Sequence, residues 1–255
     1  SKEEEQNEFI MGIVTPIVIF PFFMLITLVV QMVGAEINEE KSTRSMEIII
    51  SNVPAKVHFF SKILAANLFV IIQCALLGLY SIIGMLLRGG KSLDSIQNVD
   101  VISNVTSGMD ITGMINNLVG YIPLVLILMA VTLLGYSLLA GILASMTTNM
   151  EDFQQLQTPI FVVSLVGFYL AIMNTMFDGA IFIRVLSYVP FISAILSPSL
   201  LVTGVIGFKD IILSILLMVV VIYLLLKYGL KIYKEGILNY SSNKLWKKML
   251  KALKH

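Results

Sequence analysis

Five apolar runs, each about long enough to cross a bilayer, constrain this chain more than any other feature. A helix spanning roughly 30 Å of hydrocarbon needs about 20 predominantly apolar residues. Residues 9–34, 63–87, 118–146, 159–177 and 210–226 supply such runs. The chain is 57% hydrophobic and 13% charged, with a mean hydropathy of +0.91, against roughly 25% charged residues in a soluble domain. A soluble core could not cover this much apolar surface, so the solvent is lipid. The expected fold is an all-α polytopic membrane protein. Residues 1–255 form one transmembrane domain of about five spans, a re-entrant helical hairpin and a surface amphipathic helix.

The interruptions carry the remaining information. Pro16 and Pro21 predict kinks in the first run, and Gln31 is the one amide near its end. Residues 35–62 form a long charged segment between two apolar runs. Read as a helix, Ile37, Met46, Ile48, Ile49 and Ile50 give it a partial apolar side. Pro54 ends it by disfavouring helical geometry at Val53. A short amphipathic element between two spans is what a membrane protein offers to a partner at its surface.

Residues 88–117 are polar and read as a loop, and 147–158 as a short turn. The 180–208 run is apolar but broken by Arg184, Pro190, Pro198 and Gly204. It is expected to be re-entrant, since irregular backbone at membrane depth is tolerated only where protein or water covers it. The basic tail, 227–255, sets Lys244, Lys247, Lys248, Lys251 and Lys254 against Leu245, Trp246, Met249, Leu250 and Leu253. Such a tail lies along an anionic leaflet, which makes membrane lipids a partner.

With the 35–62 segment inside and 180–208 re-entrant, twelve of the seventeen Lys and Arg residues fall on the inner side. The positive-inside rule favours that orientation. A multi-pass protein of the cell membrane, in a bacterium or archaeon, is expected. A net charge of +1 gives no nucleic-acid signal, and Cys74, the single cysteine, precludes an intrachain disulfide. Two histidines are too few for a histidine-rich metal site, and no metal or cofactor is expected in this chain.

Enzyme motifs are sparse. Gly90-Lys91-Ser92 resembles the end of a phosphate-binding loop, but Met85 stands where its first glycine belongs. The zinc-protease H-E-x-x-H and the hydrolase G-x-S-x-G are absent. Glu39-Glu40-Lys41-Ser42-Thr43-Arg44 matches the E-E-x-x-x-R motif of intramembrane glutamate proteases, in which a glutamate would act as general base. The likeness covers six residues and lacks the later histidine motifs.

Taken whole, residues 39–66 resemble another family more closely. E-E-K-x-x-x-x-M-E-I-I-I-S-N-V-P-A-x-x-x-F-x-x-K-I-L-A is similar to the signature of ABC type-2 export permeases, in particular the sodium- and peptide-exporter (NatB-like) branch. Ser61 departs from the glycine usual before the lysine matched by Lys62. The order of spans is also similar over nearly the whole chain. That branch normally carries one more span and an extracytoplasmic domain upstream, which would precede Ser1, so the chain is read as part of a longer protein.

The resemblance implies a permease subunit that is not itself an enzyme. A second permease subunit, like or unlike, would pair with it. A separate ABC ATPase subunit would hold ATP and Mg and dock the coupling segment through Glu39, Glu40, Lys41, Arg44, Glu47, Ile48 and Pro54. Reversing charge at Glu40 and Arg44 is then expected to release the ATPase. Substrate-path candidates are Gln31, Asn67, Gln73 and Thr132, because polar groups inside spans are costly and often functional. Amides and hydroxyls in membrane helices more often glue neighbouring helices than touch cargo. The other functions kept open are an ion-coupled carrier or channel, and a protease using Glu39-Glu40. The absence of Asp, Glu or Lys deep in a confident span argues against fixed ion coupling. Cargo is not legible: sodium, peptides, drugs and lipids all remain open.

Overall fold

The computed structural model describes residues 2–87, 120–177 and 181–240. The expected loop at 88–117 with Gly90-Lys91-Ser92, the break at Asp178-Gly179 and the lysines beyond residue 240 lie outside the described residues. Among those described there is no strand, and five helices are long and apolar enough to cross a membrane.

The first helix, α1 (Lys2–Ser42), is continuous through Pro16 and Pro21 and runs well beyond the expected limit at residue 34. Its 41 residues make a rod of about 60 Å at 1.5 Å per residue. The charged residues from Glu36 to Lys41 are therefore its last turns. Helix geometry breaks at Arg44, which adopts a left-handed φ of 56° and precedes α2 (Ser45–Asn52). The Thr43 hydroxyl donates to Glu39 O at 2.8 Å and closes the end of α1. Val53 is extended, as a residue before proline must be, and α3 (Ala55–Leu87) begins directly after Pro54.

The hub is α4 (Ile122–Met146), which packs against α1, α3 and most later helices. Gly135, Ser137, Ala140, Gly141, Ala144 and Ser145 are all buried on it. Such small residues let helix backbones approach closely, which is how helices associate where lipid removes most of the hydrophobic drive. Helix α5 (Met150–Ile172) starts earlier than the expected 159. Asn149 caps it by accepting from the Asp152 N–H at 2.8 Å. Glu151 and Asp152 in its first turn suit the positive end of the helix dipole.

The chain then doubles back. A short 3-10 turn (Asn174–Phe177), α6 (Ile181–Leu186) and α7 (Ser193–Val202) precede α8 (Phe208–Leu224). Asn174, just past α5, donates to Ser199 Oγ at 3.2 Å and Thr203 Oγ1 at 3.0 Å near the end of α7. Arg184 on α6 meets Asp210 at the start of α8 at 3.0 Å. The Phe191 turn between α6 and α7 accepts from the hydroxyl of Tyr136, midway along α4, at 3.0 Å. Both ends of the 181–203 segment therefore sit at one end of the bundle and its tip reaches inward. Helix α8 continues through a π turn (Leu225–Gly229) into α9 (Leu230–Gly236), so the last helix runs past the expected boundary at 226.

Asp210 ties this end together. Its carboxylate accepts from the Gly207 N–H at 2.8 Å as a helix cap, from Arg184 and from the Tyr188 hydroxyl. Replacing Asp210 with Ala is expected to cost about 1 kcal/mol, the usual value of a lost cap, read as a lower melting temperature in detergent.

The outer face of α3 carries exposed Leu64, Leu68, Phe69, Ile71, Ile72 and Leu76. With similar apolar faces on α5 and α8, it forms a surface that suits hydrocarbon rather than water.

Candidate functional site

The charged residues gather at the end of the bundle where α1 and α9 finish and α3 begins. Glu36 and Glu40 lie one helical turn apart on α1, and His58 and Lys62 one turn apart on α3, so the two pairs face each other. Lys62 Nζ contacts Glu40 Oε1 at 2.7 Å and Glu36 Oε2 at 3.1 Å. His58 Nε2 lies 2.8 Å from Glu40 Oε2, and its Nδ1 lies 2.7 Å from the Tyr233 hydroxyl on α9. A neutral imidazole with its proton on Nε2 satisfies both: it donates to Glu40 and accepts from Tyr233. The Glu40 carboxylate is thus turned inward and joins α1 to α3.

Lys41 is turned inward too, with 1% of its surface exposed. Its ammonium donates to Ser145 O at 2.6 Å, Gly236 O at 3.0 Å and Asn239 O at 3.4 Å. The first two carbonyls belong to the final turns of α4 and α9; Ser145 O has no helical N–H left to bond it, and Gly236 O is shared with the Asn239 N–H at 3.1 Å. A cation there also meets the negative ends of two helix dipoles. The approach depends on Gly236, since a Cβ at that position would lie 2.7 Å from Ser145 O. Beside this, Asn38 Oδ1 accepts from Thr147 Oγ1 at 2.8 Å, fastening α1 to the end of α4 again.

Outside this polar knot stands α2. Met46 is fully buried, whereas Glu47, Ile48, Ser51 and Asn52 are exposed, Ile48 by 69%. Glu39, Arg44 and Pro54 are exposed as well. Tyr240, just past α9, stands at the near edge of α2, with Arg44 6.0 Å over its ring and the charge of Glu47 nearby. Burial first, then the charge of Glu47, pushes the Tyr240 phenol above its ordinary value and keeps it neutral.

The substrate-path candidates are separated by the structure. Asn67 is buried and donates to Ser137 Oγ on α4 at 2.9 Å, a helix–helix contact. Gln73 is half-buried on α3. Thr132 is buried on α4 with no partner for its hydroxyl among the described residues. Gln31 lines a cavity of about 200 Å³ between α1 and α5, together with Gln154 and Gln157.

Comparison with known proteins agrees with this architecture. The profile of the "ABC-2 family transporter protein" family matches residues 1–229. The chain belongs to the ABC-2 transporter family. Among relatives of this ABC-2 protein, the uncharacterized protein YhaP of Bacillus subtilis (strain 168) is 31% identical over 259 aligned positions, covering 100% of this chain and 58% of YhaP. The uncharacterized protein MJ1024 of Methanocaldococcus jannaschii is 26% identical, covering 99% of this chain and 57% of its own length. The chain thus spans somewhat over half the length of these relatives. No solved structure matches it. Membership places the chain among multi-pass membrane components of transporters.

In this ABC-2 chain, sequence reasoning missed His58 and Tyr233 in the knot, the carbonyls of Ser145, Gly236 and Asn239, and the amides of Gln154 and Gln157. The four-residue spacing of Glu36/Glu40 and His58/Lys62 was a legible signal for the first. Nothing in sequence announces which carbonyls a lysine will reach. Thr132 supplies a direct test. Its unpaired buried hydroxyl is costly, so Thr132→Val is expected to stabilise the protein by about 1 kcal/mol. A raised melting temperature with unchanged transport would mark it as structural.

Proposed function

We propose that the chain is the membrane-embedded permease part of an ATP-driven exporter, driven through α2 by a separate ATPase subunit. The observation that carries this reading is the posture of α2. It offers Glu47, exposed Ile48, Ser51 and Asn52 outward, while Met46 and the Lys41 and Glu40–His58 contacts behind it reach α3, α4 and α9. A load on α2 is therefore applied to α1, which carries Glu40 and Lys41, and through them to α3, α4 and α9.

The docking surface is the outward set Glu39, Arg44, Glu47, Ile48 and Pro54. Charged groups there give charge-assisted contacts and orientation, and Ile48 supplies an apolar anchor. Glu40 and Lys41 support the surface from inside. The ATPase subunit binds ATP with Mg and performs the hydrolysis. Its closure on ATP pushes α2 and rocks the spans, moving cargo outward. A second permease subunit, identical or related, completes the path, and the complex sits in the plasma membrane of a bacterium or archaeon. The sodium- and peptide-exporter branch is the closer assignment supported by the residue 39–66 pattern.

The test is co-purification of the full-length protein from its native membrane, followed by an ATPase assay. A stoichiometric partner with Mg-dependent hydrolysis is the expected result. A monodisperse membrane protein that brings no ATPase would overturn the reading.

A further inference from the structure

The cavity between α1 and α5 has a chemistry of its own. Its lining includes Gln31, Gln154 and Gln157, with Thr27, Thr158 and Ser164. Each hydroxyl has one hydrogen, and each gives it to its own helix: Thr27 to Phe23 O, Thr158 to Gln154 O and Ser164 to Ile160 O, at 2.7 to 3.1 Å. Toward the cavity these oxygens can only accept. Gln157 Oε1 is buried with no hydrogen-bond partner among the described residues. Leaving such a group unpaired is costly, which makes it a place where a ligand gains.

Between these polar groups the lining is apolar, with Ile26, Val30, Ile160 and Phe161. No lining side chain is charged. Gln157 is seven residues into α5, about 10 Å from that helix's start at 1.5 Å per residue, on the charged end's side of the span. Gln154, Gln155 and Thr158 are exposed beside the cavity. Such groups do not face hydrocarbon without cost, so this strip borders water or protein.

We propose that the cavity binds an organic ligand that brings N–H donors on an apolar body, a protonated amine or an amide. With no cation in the lining, an anion meets only the glutamine amide N–H groups, which do not neutralise its charge. A bare metal ion takes a closed shell of oxygens at about 2.0–2.6 Å, which a lining interrupted by Ile26, Val30, Ile160 and Phe161 does not provide. A donor-bearing group pairs with Gln157 Oε1 and the hydroxyl oxygens while its apolar body lies on Ile160 and Phe161. That the ligand is cargo rests on the exporter reading; that the site binds it does not.

The test uses the full chain in lipid nanodiscs, without nucleotide or ATPase, and two tritiated probes in equilibrium dialysis against empty discs. The probes are 4-phenylbutylamine and 4-phenylbutyltrimethylammonium, which share body and charge but differ in N–H donors. Saturable binding of the amine, at least tenfold tighter than the trimethylammonium, is expected. Gln157→Leu should weaken the amine at least tenfold. Gln157→Glu, of the same size and with oxygen at both terminal positions, should bind it at least as tightly as the unchanged chain, and Gln155→Leu should leave it unchanged. Equal affinity for the two probes, indifference to Gln157→Leu, saturable binding of sodium-22 in place of the amine, or no binding above empty discs would each overturn the site. Amine binding by a protein that brings no ATPase would keep the site and remove the export role. An ATPase partner without amine binding would do the reverse.

Discussion

Replacing Ile48 with Asp is expected to release the ATPase subunit while the permease itself remains monodisperse and as heat-stable as before. Ile48 is 69% exposed on α2, so its side chain contributes little to the permease's own packing. In a docked complex it becomes the apolar anchor, and truncating such an anchor typically costs 2 kcal/mol or more, about 30-fold in affinity. A carboxylate buried there without a partner weakens binding further. Glu47→Arg should act in the same direction by reversing the charge offered to the partner. Association by pulldown, together with nucleotide turnover of whatever is retained, checks both. Undiminished capture by Ile48→Asp would remove α2 from the docking surface.

Charge reversal at Glu40, chosen from sequence as a test of docking, has a different expected outcome. Arg at position 40 would place a cation against Lys62, 2.7 Å from the present carboxylate, and against His58. It would damage the protein's interior, and any loss of the ATPase would then report on folding. Outward residues make the cleaner test.

Lys41→Met should strongly destabilise this end of the protein. Methionine fills the space of the lysine stem but leaves the Ser145 carbonyl, at 2.6 Å, without its donor and the Gly236 carbonyl, at 3.0 Å, with only the Asn239 N–H. A buried group left unpaired costs about 1–3 kcal/mol, so a loss of about 2 kcal/mol is expected, or about 6 °C in melting temperature for a chain of this size. Lys41→Glu should be worse, because it sets a negative charge at the negative ends of two helices. Thermal stability followed by size exclusion in detergent measures both. A Lys41→Met protein that melts like the parent would show that water replaces the ammonium and that the knot is loosely held.

Much of the helical plan was legible because lipid imposes a simple rule: a backbone without water must bond to itself for about 20 residues at a time. Runs of Leu, Ile, Val and Phe announced the spans, and Pro54 announced the break before α3. Span ends were read less well. The residues from Glu36 to Lys41 looked like a solvated segment, yet they continue α1, because Glu40 and Lys41 find partners on other helices. Likewise most of the polar stretch 147–158, from Met150 on, became the first turns of α5, because Asn149 caps it. Its glutamines, spaced three apart at 154 and 157, could have been placed on one helical face from sequence.

What the sequence determined by itself is local. Hydropathy over about 20 residues selects helix and membrane, and the composition of residues 39–66 marks the family. Which polar side chains point outward was decided only by tertiary structure. A charged residue reads the same in sequence whether it meets water, a partner or a buried carbonyl. Its free energy depends on groups more than a hundred positions away, as Lys41 depends on Ser145 and Gly236. The cavity between α1 and α5 belongs to the same class, since its acceptors converge only when two helices distant in the chain are packed together.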